Sequence, residues 1–340
     1  MKRILLVTFL VFLLAAIYCA WIVFGPTVSA PENKFFYVKT GATFEDVKAA
    51  LKEQGIISGT FFFDKISKQV KYNQHVKAGK YEIRNGMNLV NLVRMLKAGR
   101  QTPVRFVINK LRTKEDLASK IGQQFEVDST EVINFITNND SLAKYNLDTN
   151  NVMTVIIPNS YLLWWNSSFK NIITRFADQK QKFWDGKRTE KAAVIGLTPD
   201  QVYTMASIVE EETLKPEDKG LIASVYLNRI NKGMKLEADP TVKYAMRDFG
   251  LKRILHGHLQ YPSLYNTYQH TGLPPGPIAT ASINTIDAVL DAPKTGYIFF
   301  VAKPDFKGYS NFAATYQEHL VYAKAYQRAL DSLIISRKNK

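Results

Sequence analysis

Apolar residues run almost unbroken from Ile4 to Phe24, with Thr8, Tyr18 and Cys19 the mild exceptions. A helix of that length, at ~1.5 Å per residue, spans the ~30 Å hydrocarbon core of a bilayer. Gly25 to Asn33 then carries two prolines, a Ser and a Thr, which predicts a short stalk. Beyond it, one pattern of polar and apolar positions recurs three times. Phe36-Tyr37-Val38 leads into Thr43 to Leu51, Tyr81-Glu82-Ile83 into Leu89 to Leu96, and Arg105-Phe106-Val107-Ile108 into Thr113 to Ile121. Each is a short alternating strand, a turn, and a helix with apolar residues three and four apart. Thr43 with Asp46, and Thr113 with Asp116, set an N-cap hydroxyl three residues before a carboxylate.

Residues 126–196 give weaker periodicity, with turns at Asn138 to Ser141 and Asp148 to Asn151. The aromatic run Tyr161 to Trp165 reads as core, with a sugar-stacking groove as the alternative. The last third is better marked. Thr198-Pro199-Asp200-Gln201 is a capping box with Pro at the first helical position, predicting a helix to about Thr213. Pro216 opens a second helix ending near Gly233, and Asp239-Pro240 a third, short one. Tyr297 to Val301 reads as a buried strand, and Thr315 with Glu318 caps a long final helix.

On a helical wheel starting at Thr198, the buried stripe is Val202, Met205, Ala206 and Val209. Glu210 and Glu212 fall on opposite borders of that stripe, while Glu211 points away as a solvated charge. Three carboxylates at the negative end of a helix are disfavoured by roughly 0.3–1 kcal/mol each. Crowded like charges also push carboxyl pKa values upward, which suits a general acid working near neutral pH. Periodicity leaves Glu210 and Glu212 equal, and a helix simply ending in acidic surface residues is the bland alternative. Downstream lies a polar and Gly/Pro-rich set: Asn228-Arg229, Asp239-Pro240-Thr241, Tyr265-Asn266-Thr267-Tyr268, and Leu273-Pro274-Pro275-Gly276. The last cannot be regular helix or sheet, and it reads either as the rigid lining of a cleft or as a tight structural turn.

Composition narrows the setting. Lys2 and Arg3 precede the apolar run and no Lys or Arg follows it before Lys34, so the amino terminus is expected in the cytoplasm and the remainder outside the cytoplasmic membrane. A cleaved signal peptide, with Val28-Ser29-Ala30 as its cleavage site, is the competing reading. The run exceeds the usual 7–15-residue signal core, which favours an uncleaved anchor. Cys19 is the sole cysteine and lies in the apolar run, so disulfides, cysteine nucleophiles and cysteine-bound metals are excluded beyond it. The formal charge of +15 calls for an acidic partner. Exported topology argues against nucleic acid and for anionic head groups or a cell-wall polymer, with a merely solubilising surface as the alternative.

Residues 35–85 resemble a LysM module, a βααβ fold that grips N-acetylated wall sugars, through the strand-Gly-Thr-helix opening; a purely structural βα repeat is the alternative. Residues 80–335 resemble the MltG (YceG-like) family of endolytic murein transglycosylases. The resemblance rests on Ala206-Ser207-Ile208-Val209-Glu210, Ala223 to Arg229, Met234 to Val242, Tyr265 to Tyr268, and Gly272 to Ile278. Together with the readings above, the resemblance implies an α+β protein with a cytoplasmic N-terminus and transmembrane helix (1–25), a stalk (26–34), a LysM-like βα region (35–103), and a mixed α+β catalytic domain with a helix-borne glutamate (104–340). It also implies Glu210 as catalytic acid, which breaks the tie with Glu212. Glu212, Asn228, Arg229, Asp239, Thr241, Tyr265, Asn266, Thr267, Tyr268, Pro274, Pro275 and Gly276 are then expected to bind substrate. Where the family usually has Phe-Pro-Asp-Thr-Tyr, this chain has Ile157-Pro158-Asn159-Ser160-Tyr161, so the Asn159 amide stands where an acid is usual.

The implied reaction cuts the β-1,4 bond between N-acetylmuramic acid and N-acetylglucosamine without water and leaves a 1,6-anhydro end, limiting the length of nascent strands. One carboxyl suffices if the substrate's own 6-hydroxyl attacks, whereas ordinary glycosidases need two. Tyr268, Asn266 or carbonyls of the proline-rich loop would stabilise the oxocarbenium-like transition state. No cofactor or metal is expected. Glycan strands, the membrane through the N-terminal helix, and enzymes of wall synthesis are the expected partners. Two rivals remain: a non-catalytic, membrane-anchored wall-binding scaffold, and a metal-dependent hydrolase using His256, His258, His270 or His319, against which the lack of HExxH-type spacing counts.

Overall fold

The structure, a computed structural model, describes residues 1–184 and 186–338. Lys2–Phe24 is one continuous helix (α1) with no buried residue, the exposure a lipid-facing span requires. The chain forms two compact units that interleave in sequence. One comprises residues 1–106, 122–128 and 161–168; the other comprises 107–121, 129–160 and the chain from Phe169 onward.

In the first unit the predicted stalk is instead sewn into the fold. Val28 is buried, its N–H donates to the Met87 carbonyl (3.0 Å), and its own carbonyl accepts from Gly86 N–H (3.1 Å). Ser29 N–H donates to Ile56, and Ala30 N–H to the Asn85 side chain. Prolines 26 and 31 prevent helix, yet the backbone between them still finds partners, so turn-rich composition did not mean detachment. Next come Phe35–Val38 (β1), Phe44–Glu53 (α2), Phe61–Gln69 (α3), Gly79–Glu82 (β2) and Leu89–Ala98 (α4). β1 and β2 pair antiparallel with Phe36 opposite Tyr81. They enclose a core of Phe36, Leu51, Phe63, Tyr72, Tyr81 and Leu92. Thr43 and Asp46 make the reciprocal cap that starts α2.

The chain continues through Val104–Val107 (β3), Lys114–Gln124 (α5), Ser129–Ile136 (α6), Asn139–Ala143 (α7) and Ser160–Leu163 (β4). β3 and β4 pair as a second two-stranded sheet. Thr113 and Asp116 exchange backbone–side-chain bonds at the start of α5, as their spacing predicts. Tyr161 is buried, as the core reading expects, whereas Trp164 is half exposed.

The second unit holds Phe169–Phe183 (α8), Lys187–Val194 (α9), Pro199–Glu212 (α10), Pro216–Asn231 (α11), Asp239–Met246 (α12) and Ile283–Leu290 (α13). Phe299–Ala302 (β5), Ser310–Ala313 (β6) and Tyr316–Lys338 (α14) follow. The predicted buried strand is β5, and it is a correction: its residues are all at least partly exposed, because it pairs only with β6. α10 departs from the wheel as well. Every residue from Val202 to Val209 is buried, so the stripe prediction was too narrow. A helix apolar on all sides belongs inside the core, and α9, α11, α12 and α13 all pack against α10.

Candidate active site

α10 organises the site through its polar residues. Thr204 Oγ1 and Ser207 Oγ donate back to the carbonyls of Asp200 (2.8 Å) and Thr204 (2.7 Å), so neither hydroxyl is left unsatisfied in the core. Ser207 Oγ also accepts Ile278 N–H (3.0 Å), while Tyr203 Oη donates to the Ile156 carbonyl (2.5 Å). The helix thereby holds one chain segment on each side. A third segment joins them: Ile108 N–H donates to the Asn159 carbonyl (3.1 Å), and Thr280 N–H to the Leu111 carbonyl (2.7 Å). Between these segments lies a cleft of about 470 Å³ whose walls include Asn109, Lys110, Asn159, Thr280 and Ser282, with Glu210 among them.

The Glu210 carboxylate, largely buried, accepts from Ser282 Oγ (2.9 Å), from Thr285 Oγ1, and from Lys219 Nζ (3.1 Å). Ser282 is the N-cap of α13, so the carboxylate faces the positive end of that helix. Burial alone would raise its pKa; the bonds from Thr285, Lys219 and Ser282, with the Lys219 charge, outweigh burial and hold it below the ordinary glutamate value. This corrects the expectation of a raised pKa. The unfavourable end of α10 is countered by groups that α11 and α13 bring to it.

The raised carboxyl is Glu212. Burial pushes it up to about 7, against the bond donated by Tyr226 Oη (2.6 Å), with the Asp239 charge adding to the rise. Glu211 is not the solvated charge predicted. It is largely buried in ion pairs with Lys110 (2.6 Å) and Arg112 (3.2 Å).

The remaining predicted residues make contacts within the fold, and none is among the residues lining the Glu210 cleft. Asn228 donates to the carbonyls of Thr295 and Tyr297, and Arg229 to those of Ile298, Lys235 and Leu236, fixing the approach to β5. Thr241 and Thr267 bond each other in the core (2.9 Å), and Asn266 donates to Leu259 and Tyr261. Tyr268 Oη donates to Asp239 (2.7 Å), and neither Tyr268 nor Asn266 is among the residues lining the cleft. Tyr265 packs on Tyr244 with ring centroids 4.8 Å apart. Pro274 and Gly276 are buried and Pro275 is exposed. The cleft is lined instead by Thr280 and Ser282, just beyond that loop. Asn159, at the position where the family motif usually has an acid, does line it.

Sequence reasoning missed Lys219, Ser282 and Thr285. Lys219 carried a signal: a cation in the first turn of α11 opposes that helix's dipole just as Glu210 opposes its own. The histidines weighed for a metal lie elsewhere: His258 Nδ1 accepts Leu255 N–H and His319 stacks on Phe299.

Comparison with known proteins agrees with this architecture. The endolytic murein transglycosylase of Bacillus subtilis (strain 168) is 29% identical over 303 residues, covering 83% of this chain and 81% of that one. That of Streptococcus pneumoniae serotype 2 (strain D39) is 25% identical over 81% of this chain, which spans 54% of its length. The crystal structure of a yceG-like protein from Listeria monocytogenes superposes with a TM-score of 0.57 at 25% identity, covering 85% of this chain and 98% of that one. Residues 36–325 match the YceG-like family, and the chain belongs to it.

Proposed function

We propose that this protein is a membrane-anchored endolytic murein transglycosylase, a carbon–oxygen lyase with Glu210 as its proton-transfer group. The observation that carries the reading is a single carboxylate in a polar cleft, held by Lys219, Ser282 and Thr285 on the helix whose sequence matches the family motif. The names of the relatives support the substrate class.

In the reaction the bond between C1 of N-acetylmuramic acid and O4 of N-acetylglucosamine breaks. Protonated Glu210 gives its proton to O4, the muramyl O6 attacks C1, and the O6 proton returns to Glu210. No water enters, the product ends in a 1,6-anhydro ring, and the carboxyl is regenerated, so one residue does the work that ordinary glycosidases divide between two. Because Glu210 is held ionised in the resting protein, the cycle begins with its protonation. Asn109, Asn159, Ser160 and Thr280 are the cleft groups placed to bind hydroxyl and acetamido groups and to offset charge at C1. The β1-α2-α3-β2 arrangement supports a LysM-like grip on the strand, α1 supports anchoring with the amino terminus in the cytoplasm, and cutting within strands would limit their length beside wall-synthesis enzymes.

Mass spectrometry of wall strands digested by the purified protein tests this. Anhydro-muramyl ends are expected with the wild type and none with Glu210→Gln, while circular dichroism shows an intact fold. Reducing ends would overturn the lyase chemistry, and undiminished cutting by Glu210→Gln would remove Glu210 from the role.

A further inference from the structure

The first unit contains a recess of about 490 Å³ that shares no residue with the Glu210 cleft. Strand alternation builds it. Phe36 and Val38 are buried while Tyr37 between them is exposed, and Val104 and Phe106 are buried while Arg105 is exposed. Tyr37 lies directly across from Lys80 in the β1–β2 register, so ring and cation share one face of the sheet. Trp165 completes the wall, its ring meeting Tyr37 edge to face at 5.0 Å. Gln124 adds an amide.

The charge balance of this recess is one-sided. Lys80 lies 3.7 Å over the Phe35 ring, and neither Lys80 nor Arg105 makes an ion pair among the described residues. Among the described residues, no carboxylate lines the recess. Two acids lie two residues from the recess in sequence, and both are engaged elsewhere: Glu82, beyond Lys80 on β2, pairs with Arg84 (3.8 Å), and Glu126 accepts from both Thr40 N–H and Thr40 Oγ1 (2.6 Å each). Glu126 N–H in turn donates to the Trp165 carbonyl (2.9 Å), which fixes the aromatic wall.

From this we infer that the recess is a second glycan-binding site, selective for a sugar that carries a free carboxylate. Tyr37 and Trp165 supply faces for pyranose C–H groups, Gln124 an amide for an acetamido group, and Lys80 with Arg105 charge-assisted bonds to the carboxylate. The volume suits one or two sugar rings. A phospholipid surface would meet the cations alone and leave the rings and amide without a role. The inference rests on the substrate proposed above, whose muramyl residues bear carboxylates on their lactyl-peptide stems.

Calorimetric titration of the full-length Glu210→Gln protein in detergent tests it, because binding is then read without cutting. The ligands are a soluble muropeptide, the same muropeptide with its carboxylates amidated, and vesicles of phosphatidylglycerol. Arg105→Ala and Lys80→Ala are each expected to weaken the acidic muropeptide roughly tenfold, about 1.4 kcal/mol. Neither should change binding of the amidated one. Trp165→Ala should weaken both glycans, and Trp165→Phe should restore binding if loss of the ring rather than of the fold is responsible. Equal affinity of wild-type and Arg105→Ala proteins, an Arg105 dependence that persists with the amidated ligand, or binding to vesicles but not to muropeptide would each overturn the inference. Anhydro-end formation by the Glu210-intact protein is scored separately. The recess can therefore fail while the lyase reading stands, and an Arg105-dependent affinity can stand where no cutting is seen.

Discussion

At Glu210, three donors decide what burial alone would have decided the other way. With its pKa held below the ordinary value, the carboxyl is ionised at neutral pH, and its protonated fraction, the form the proposed reaction needs, grows as pH falls. The pH profile of kcat/KM, which reports the free enzyme, should therefore rise toward acid with its limb below neutrality. Replacing Lys219 by Met removes a charge 3.1 Å from Oε2 and leaves burial less opposed, so the limb should move up by about one pH unit. A limb near pH 7 that ignores Lys219 would instead identify Glu212 as the working acid. Glu212 makes its own prediction. An unfolded glutamate ionises near pH ~4.3, whereas the folded Glu212 holds its proton to about 7. The native state thus binds more protons over that range, and its stability falls as pH rises from about 4 to 7. Glu212→Gln cannot ionise and still accepts from Tyr226. Its stability relative to the wild type should grow by on the order of 3 kcal/mol between pH 4 and 8, measured by urea unfolding. A difference that does not vary with pH would show that Glu212 is not a proton-holding buried acid.

Elements whose signals are local were legible in the sequence. The caps at Thr43, Thr113, Thr198 and Thr315 all start helices, because a hydroxyl and a carboxylate or amide three residues apart satisfy each other wherever the chain goes. The position of Glu210 at the end of α10 was legible for the same reason. Its partners were not: Lys219, Ser282 and Thr285 lie 9, 72 and 75 residues away, and only packing brings them together. The proline-rich segment shows the same limit. Its irregularity was evident, but Gly276 packs against the 148–151 turn, and Pro274, Pro275 and Gly276 are not among the residues lining the cleft. A Cβ on Gly276 would lie 2.0 Å from the Asn150 carbonyl oxygen and 3.2 Å from Tyr265 Oη. Backbone cannot yield to that contact as a side-chain tip would. Gly276→Ala should cost roughly 3 kcal/mol in urea unfolding, and a loss under about 0.5 kcal/mol would mean the turn moves freely.

Across the whole chain, the two units do not follow one another. The first takes residues 122–128 and 161–168 from stretches that otherwise belong to the second. These returns are held inside the first unit by three contacts: Glu126 on Thr40, Trp165 on Tyr37, and Phe125 on Phe106 with centroids 5.3 Å apart. Of these, only the Phe106–Phe125 pair survives removal of residues 1–103, while the packing of α10 among α9, α11, α12 and α13 involves nothing before residue 187. The two units should therefore respond differently to that deletion. Amide exchange in 122–128 and 161–168 is expected to accelerate at least about tenfold, a loss of ~1.4 kcal/mol in local opening free energy, while Val202–Val209 keeps its protection. Unchanged exchange in both returning segments would mean that the second unit alone suffices to order them. Loss of protection throughout α10 would mean that its core depends on the first 103 residues, although its own packing does not require them.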